Sequence, residues 1–101
     1  MRVSWHMLAG TGVIRLEGDF TSAGHRDFKQ AMTAVLGLSG ISNFCVDMAG
    51  VDYLDSSALG LLTQFHDRAG RRQITLAHCH GPVKLVLVIA NFEKLFRIEH
   101  N

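Results

Sequence analysis

Asp55-Ser56-Ser57 places an acid and two hydroxyls together where this 101-residue chain changes character. Before them lie a short apolar run, Phe44 to Met48, and a polar turn around Gly50–Asp52. After them Ala58, Leu61, Leu62, Phe65 and Ala69 repeat at helical spacing and make one stripe. The first amides of a helix lack backbone partners, so acid and hydroxyl side chains at this point serve as caps. The same helix end favours added negative charge. A serine here is therefore a candidate phosphate acceptor, because a phosphate brings charge and acceptor oxygens and changes what the surface binds. Capping accounts for one serine and leaves the other without a task. Asp55 either repels such a phosphate or orients a serine hydroxyl toward an incoming phosphoryl group.

Other residues with chemical potential have plainer readings. His78-Cys79-His80 has the look of a metal cluster, but in a strand the two histidines share a face while Cys79 points away. No distant ligand pattern completes four-coordinate zinc. His66 borders the apolar stripe and His25 lies near a helix start, where packing or hydrogen bonding is expected of both. Ser57 lacks the Gly-x-Ser-x-Gly elbow of a hydrolase, and there is no glycine-rich phosphate loop. Asp19, Asp52 and Asp55 could be taken for a magnesium-binding carboxylate cluster. The plainer expectation is that Asp52 satisfies turn amides and Asp19 a strand-exit turn. Should Asp19, Thr21, Asp55 and Ser57 converge at one end of a sheet, they form a docking patch with the phosphosite inside it.

The elements that must position these residues can be placed in order. Val3 to Ala9 alternates roughly and reads as an edge strand, followed by a Gly10-Thr11-Gly12 turn and a second strand through Val13, Ile14 and Leu16. That strand stops near Gly18-Asp19. Thr21 or Ser22 caps a helix whose buried face is Phe28, Ala31, Met32, Val35 and Leu36, and Gly37 and Gly40 end it. The Phe44–Met48 strand and the Ala58–Ala69 helix come next, closed by Gly70 with Arg71-Arg72 at the negative end of the dipole. Ile74, Leu76 and His78 carry a fourth strand. Gly81-Pro82 opens a helix over Val83 to Ala90, which Asn91 ends; Phe92 to Phe96 is a short turn, and Arg97-Ile98-Glu99 a terminal strand. The order ββαβαβα(β) predicts an α/β fold: a small mixed sheet of four to five strands with helical crossovers.

Composition sets the bounds. The length suits a single domain spanning residues 1–101 with one modest core. An apolar fraction of 48% with 19% charged residues is globular, and a formal net charge of +1 with dispersed basic residues does not suit a dedicated nucleic-acid binder. Cys45 and Cys79 make no redox or metal motif at their separation. The longest apolar run, Leu85 to Ala90, is too short to cross a bilayer, and no secretion signal is seen. A cytoplasmic monomer without cofactors is the expectation, since one core uses most of the apolar positions.

The stretch Val46-Asp-Met-Ala-Gly-Val-Asp-Tyr-Leu-Asp-Ser-Ser-Ala-Leu-Gly-Leu-Leu62 resembles the central motif of the STAS domain, found in sulfate transporters and anti-sigma factor antagonists. Leu16-Glu-Gly-Asp-Phe-Thr21 resembles the second-strand exit of that family, and Pro82 through Phe96 its helix and Leu-Phe turn. The resemblance runs from Val3 to Ile98 and suggests a standalone domain. It implies that Ser57 is the residue phosphorylated by a partner kinase and that Asp55 is the acid two residues before it. Asp19, Thr21, Asp55, Ser56 and Ala58 would dock the partner.

Thr21 departs from an aspartate frequent in the family, and Ala58 stands where glycine is common. A methyl group there favours the helix by up to about 1 kcal/mol and is expected to crowd a docking kinase. The implied mechanism is partner switching with an anti-sigma factor-like serine kinase and a PP2C-like phosphatase. In that scheme the chain is substrate and ligand, and ATP and magnesium belong to the kinase. Two alternatives remain: a non-phosphorylated STAS subunit of a lipid-transport ABC system, and a small metal-binding or hydrolytic enzyme.

Overall fold

The computed structural model describes residues 1–100. Strands β1 (Arg2–Leu8) and β2 (Thr11–Glu17) form an antiparallel hairpin. A 3-10 turn, Ser22–Gly24, leads into α1 (His25–Leu36). Then follow β3 (Asn43–Gly50), α2 (Ser56–Ala69), β4 (Gln73–Cys79), α3 (Gly81–Ile89), a 3-10 turn over Phe92–Lys94, and β5 (Arg97–His100). The sheet has five strands in the order β1-β2-β3-β4-β5, with β2 to β5 mutually parallel. The mixed sheet and helical crossovers are those expected from the sequence.

Three successive parallel connections step across the sheet in one direction. Right-handed crossovers therefore place all three helices on the same face. The alternation along β3 follows from this: Phe44, Val46 and Met48 are buried beneath the helices, while Cys45 and Asp47 point to the other face and are half-buried. Phe28, Ala31, Met32 and Val35 of α1 are buried, as are Ala58, Leu61, Leu62, Phe65 and Ala69 of α2. A line of rings joins the layers, with centroid separations of 5.0 Å for Phe20–Phe28, 6.2 Å for Phe28–Phe65 and 5.1 Å for Phe44–Phe65.

Several boundaries differ from the sequence reading. The first turn is Ala9-Gly10, with φ of 50° and 84°, so Thr11 and Gly12 already belong to β2. Two consecutive left-handed residues make the primed turn whose twist matches a hairpin. Thr21 caps the 3-10 turn rather than α1, accepting from the Ala23 amide at 3.4 Å. Asn91, at φ 61°, does end α3. The expected alternation His78–Cys79–His80 fails, because a register shift between Leu76 and Cys79 breaks the ladder. His78 takes φ 58°, Cys79 is buried, and His80 leaves the strand as the residue preceding α3.

Candidate functional site

Two chain segments meet at the C-terminal end of the parallel strands. After β3 the chain drops into a loop, Val51–Asp55, held by two buried side chains, Val51 and Leu54. After β2 it passes through Gly18–Thr21. The Gly18 amide donates to Gly50 O (2.9 Å), Phe20 N to Tyr53 O (2.9 Å) and Asp55 N to Phe20 O (3.2 Å), so Phe20 and Leu54 form an isolated parallel bridge. Gly50 is required by this approach, since a Cβ there would stand 2.9 Å from Leu16 O. This clasp brings the residues around Thr21 to the start of α2.

Asp55 is the N-cap of α2, and its Oδ1 accepts the Ala58 amide at 3.0 Å. Neither serine caps the helix. The Ser57 hydroxyl instead donates to the same Oδ1 at 2.5 Å, which gives the second serine a partner that the sequence left open. This bond holds the Asp55 carboxyl below the usual aspartate range, against partial desolvation; the backbones of Ala58, Ser57 and Ser22 add to it. Ser57 is half-buried and Ser56 exposed. With its O–H donated to Asp55, the Ser57 oxygen has its lone pairs directed elsewhere.

The remaining expected residues divide. Asp19 is exposed and Thr21 half-buried at the rim of this junction. Ala58 was expected to dock a partner and crowd a kinase; it is 0% exposed, and its methyl group is part of the core. Asp52 was expected to satisfy turn amides. Its carboxylate is directed outward instead, 3.8 Å from His80 Nε2, and Asp47 is the residue that accepts a nearby amide, Ala49 N, at 3.0 Å.

His80, weighed in the sequence only as part of a metal cluster, has its Nε2 3.2 Å from Ala49 O and so links the start of α3 to the end of β3. The sequence reading missed Tyr53, exposed in the loop, although a lone aromatic within a polar turn was a visible signal. His66 packs edge-on against Phe96 with ring centroids 5.7 Å apart. His25 Nε2 is buried without a hydrogen-bond partner. Cys45 and Cys79 are free thiols with pKa values pushed up to about 11, burial being the main cause for each. Among the described residues no group of His, Cys, Asp and Glu could hold a metal ion, and no helix is long and apolar enough to cross a membrane.

Comparison with known proteins fits this arrangement. A family model described as "Mlab, STAS domain" matches residues 6–97. A STAS-domain containing protein of Pseudomonas aeruginosa is 41% identical over 87 residues, covering 84% of each chain. An anti-sigma factor antagonist from Mycobacterium paratuberculosis superimposes with a TM-score of 0.88 at 19% identity, over 99% of this chain and 86% of the other. The phosphorylated form of the Bacillus cell fate determinant SpoIIAA does so with a TM-score of 0.72 at 15% identity, over 96% and 90%. The structural likenesses show a shared fold. The family match and the Pseudomonas relative go further: the chain belongs to the STAS domain family.

Proposed function

We propose that this STAS domain is an anti-sigma factor antagonist-like regulator. It binds a serine kinase of the anti-sigma type and is switched off by phosphorylation of Ser57. The observation that carries the reading is the Ser57–Asp55 hydrogen bond at the first turn of α2. It holds a half-exposed hydroxyl at a helix start, on a surface rimmed by Asp19, Thr21 and Ser56. In the reaction the Ser57 oxygen attacks the γ-phosphorus of the kinase's ATP, the Ser57 O–P bond forms and ADP leaves. The hydroxyl proton passes to a base on the kinase. Asp55 then loses its donor and faces a dianion, and desolvating that dianion within a complex is costly unless basic groups meet it. A PP2C-like phosphatase would restore the hydroxyl. Titrating the kinase with the unphosphorylated and the Ser57-phosphorylated chain tests this reading, which requires tight binding of the first and weak binding of the second.

A second reading keeps the fold and drops the switch: a non-phosphorylated subunit of a lipid-transport ABC assembly. It is favoured by α3, whose Leu85, Val88 and Ile89 are exposed and apolar, as suits a permanent interface. The matching family model is also the one described as Mlab. Under this reading the chain copurifies with an ATPase or permease, and Ser57→Ala leaves that assembly intact.

A further inference from the structure

The two edges of the sheet are finished differently. β5 is short, Arg97–His100, and carries an Arg97–Glu99 ion pair of 3.2 Å. Short length and charge are what keep a sheet edge from joining another. β1 is less protected, its one ion pair, Arg2–Glu17 at 3.9 Å, lying at its first residue. It runs over seven residues, its one Lys or Arg is Arg2 at the extreme end, and Trp5, Met7 and Leu8 are 45%, 54% and 64% exposed.

We propose that β1 is a self-association edge, pairing antiparallel with β1 of a second copy of this chain across a two-fold axis at Trp5. The phase of the hairpin supports this. Leu8 and Thr11 flank the two-residue turn, where a hydrogen-bonded pair belongs. Antiparallel alternation then directs the N–H and C=O groups of Val3, Trp5 and Met7 away from β2, toward the open edge.

The sequence is self-complementary about that axis. Val3-Ser-Trp-His-Met7 reads apolar, polar, aromatic, polar, apolar. In the two-fold pairing Trp5 meets Trp5, Val3 meets Met7 and Ser4 meets His6. No carboxylate, lysine or arginine lies between positions 3 and 7, so the paired strands themselves set no like charges opposite one another. The side chains of Val3 and Trp5 lie on the helix face. There a cavity of about 170 Å³, lined also by Asp27, Gln30 and Ala31, leaves room beside the paired indoles. The product is one continuous sheet built from two five-stranded ones, with a self-complementary interface. This inference is independent of the Ser57 switch, and it replaces the expectation of a monomer.

Sedimentation velocity over a concentration series, read alongside tryptophan emission, tests it on the full chain. Trp5 is the one tryptophan, so its emission reports the seam directly. The expected result is a reversible dimer whose formation shifts the emission to shorter wavelength. Met7→Pro removes an amide that faces the open edge, and Met7→Lys places a charge at the seam while keeping the backbone intact. Each should raise the dimer dissociation constant roughly 10- to 100-fold without changing the circular dichroism of the monomer. The proposal is overturned by a monomer at every concentration, by a dimer indifferent to Met7→Lys, or by a dimer dissolved by Ile89→Lys on α3.

Discussion

Ser57 Oγ and Asp55 Oδ1 are 2.5 Å apart, and that same carboxylate oxygen receives the Ala58 amide at 3.0 Å. One atom thus caps α2 and holds the proposed phosphoacceptor. The two tasks are coupled, since whatever happens to the Ser57 hydroxyl is felt at the helix cap.

Asp55→Asn should therefore affect both. The amide side chain still caps, because asparagine is a good N-cap residue, so the variant folds. It no longer accepts the Ser57 proton as a carboxylate does, and phosphorylation should slow while overall stability changes little. A kinase time course alongside a thermal melt separates the two effects.

The Asp55 carboxyl is held below its ordinary range, first by Ser57 and then by neighbouring backbone groups. A depressed folded-state value means that its stabilisation is fully present above the ordinary aspartate range. It is lost as the pH falls through the depressed value. Denaturant titrations between neutral pH and about pH 3 should show an acid-side loss of stability that is smaller in Ser57→Ala and smaller again in Asp55→Asn.

Gly50→Ala tests the clasp that assembles the site. A methyl group would press on the Leu16 carbonyl and on the Glu17 backbone at 3.1 Å, where the two strands approach. Overpacking of this kind costs about 1–3 kcal/mol. Equilibrium unfolding should show that loss, together with weaker partner binding from a displaced Val51–Asp55 loop.

Ala9→Gly should stabilise the chain. Ala9 has φ of 50°, a conformation that costs a residue with a side chain roughly 1–2 kcal/mol. Removing that strain is partly offset by the greater freedom of glycine in the unfolded state. A net gain of about 0.5–1 kcal/mol in urea unfolding is expected.

Much of this was legible in the sequence, and the omissions have physical causes. Helical spacing identified the buried stripes of α1 and α2, and Pro82 marked the start of α3 correctly. Asp-Ser-Ser before a stripe marked the helix start, but not which of its three side chains caps. That depends on whether Asp55 or a serine sits at the last extended residue, and Asp55, with ψ of −179°, does. The β2-exit clasp could not be read, because the Phe20–Leu54 bridge joins residues far apart in sequence and rests on sheet register. Ala58 was misassigned for a related reason. It follows two exposed or half-exposed serines, yet its position on the helix already turns it into the core. The contact of His80 with β3 could not be read because the register shift in β4 moved it out of the strand that alternation had assigned to it.

The most direct measurement is phosphosite mapping by mass spectrometry after incubation with ATP, magnesium and the serine kinase encoded nearest the gene, using the unaltered chain, Ser56→Ala and Ser57→Ala. One added phosphate is expected on the unaltered chain and on Ser56→Ala, and none on Ser57→Ala. A phosphate that persists in Ser57→Ala would contradict the Ser57 switch, as would a stable kinase complex in which no residue is ever phosphorylated.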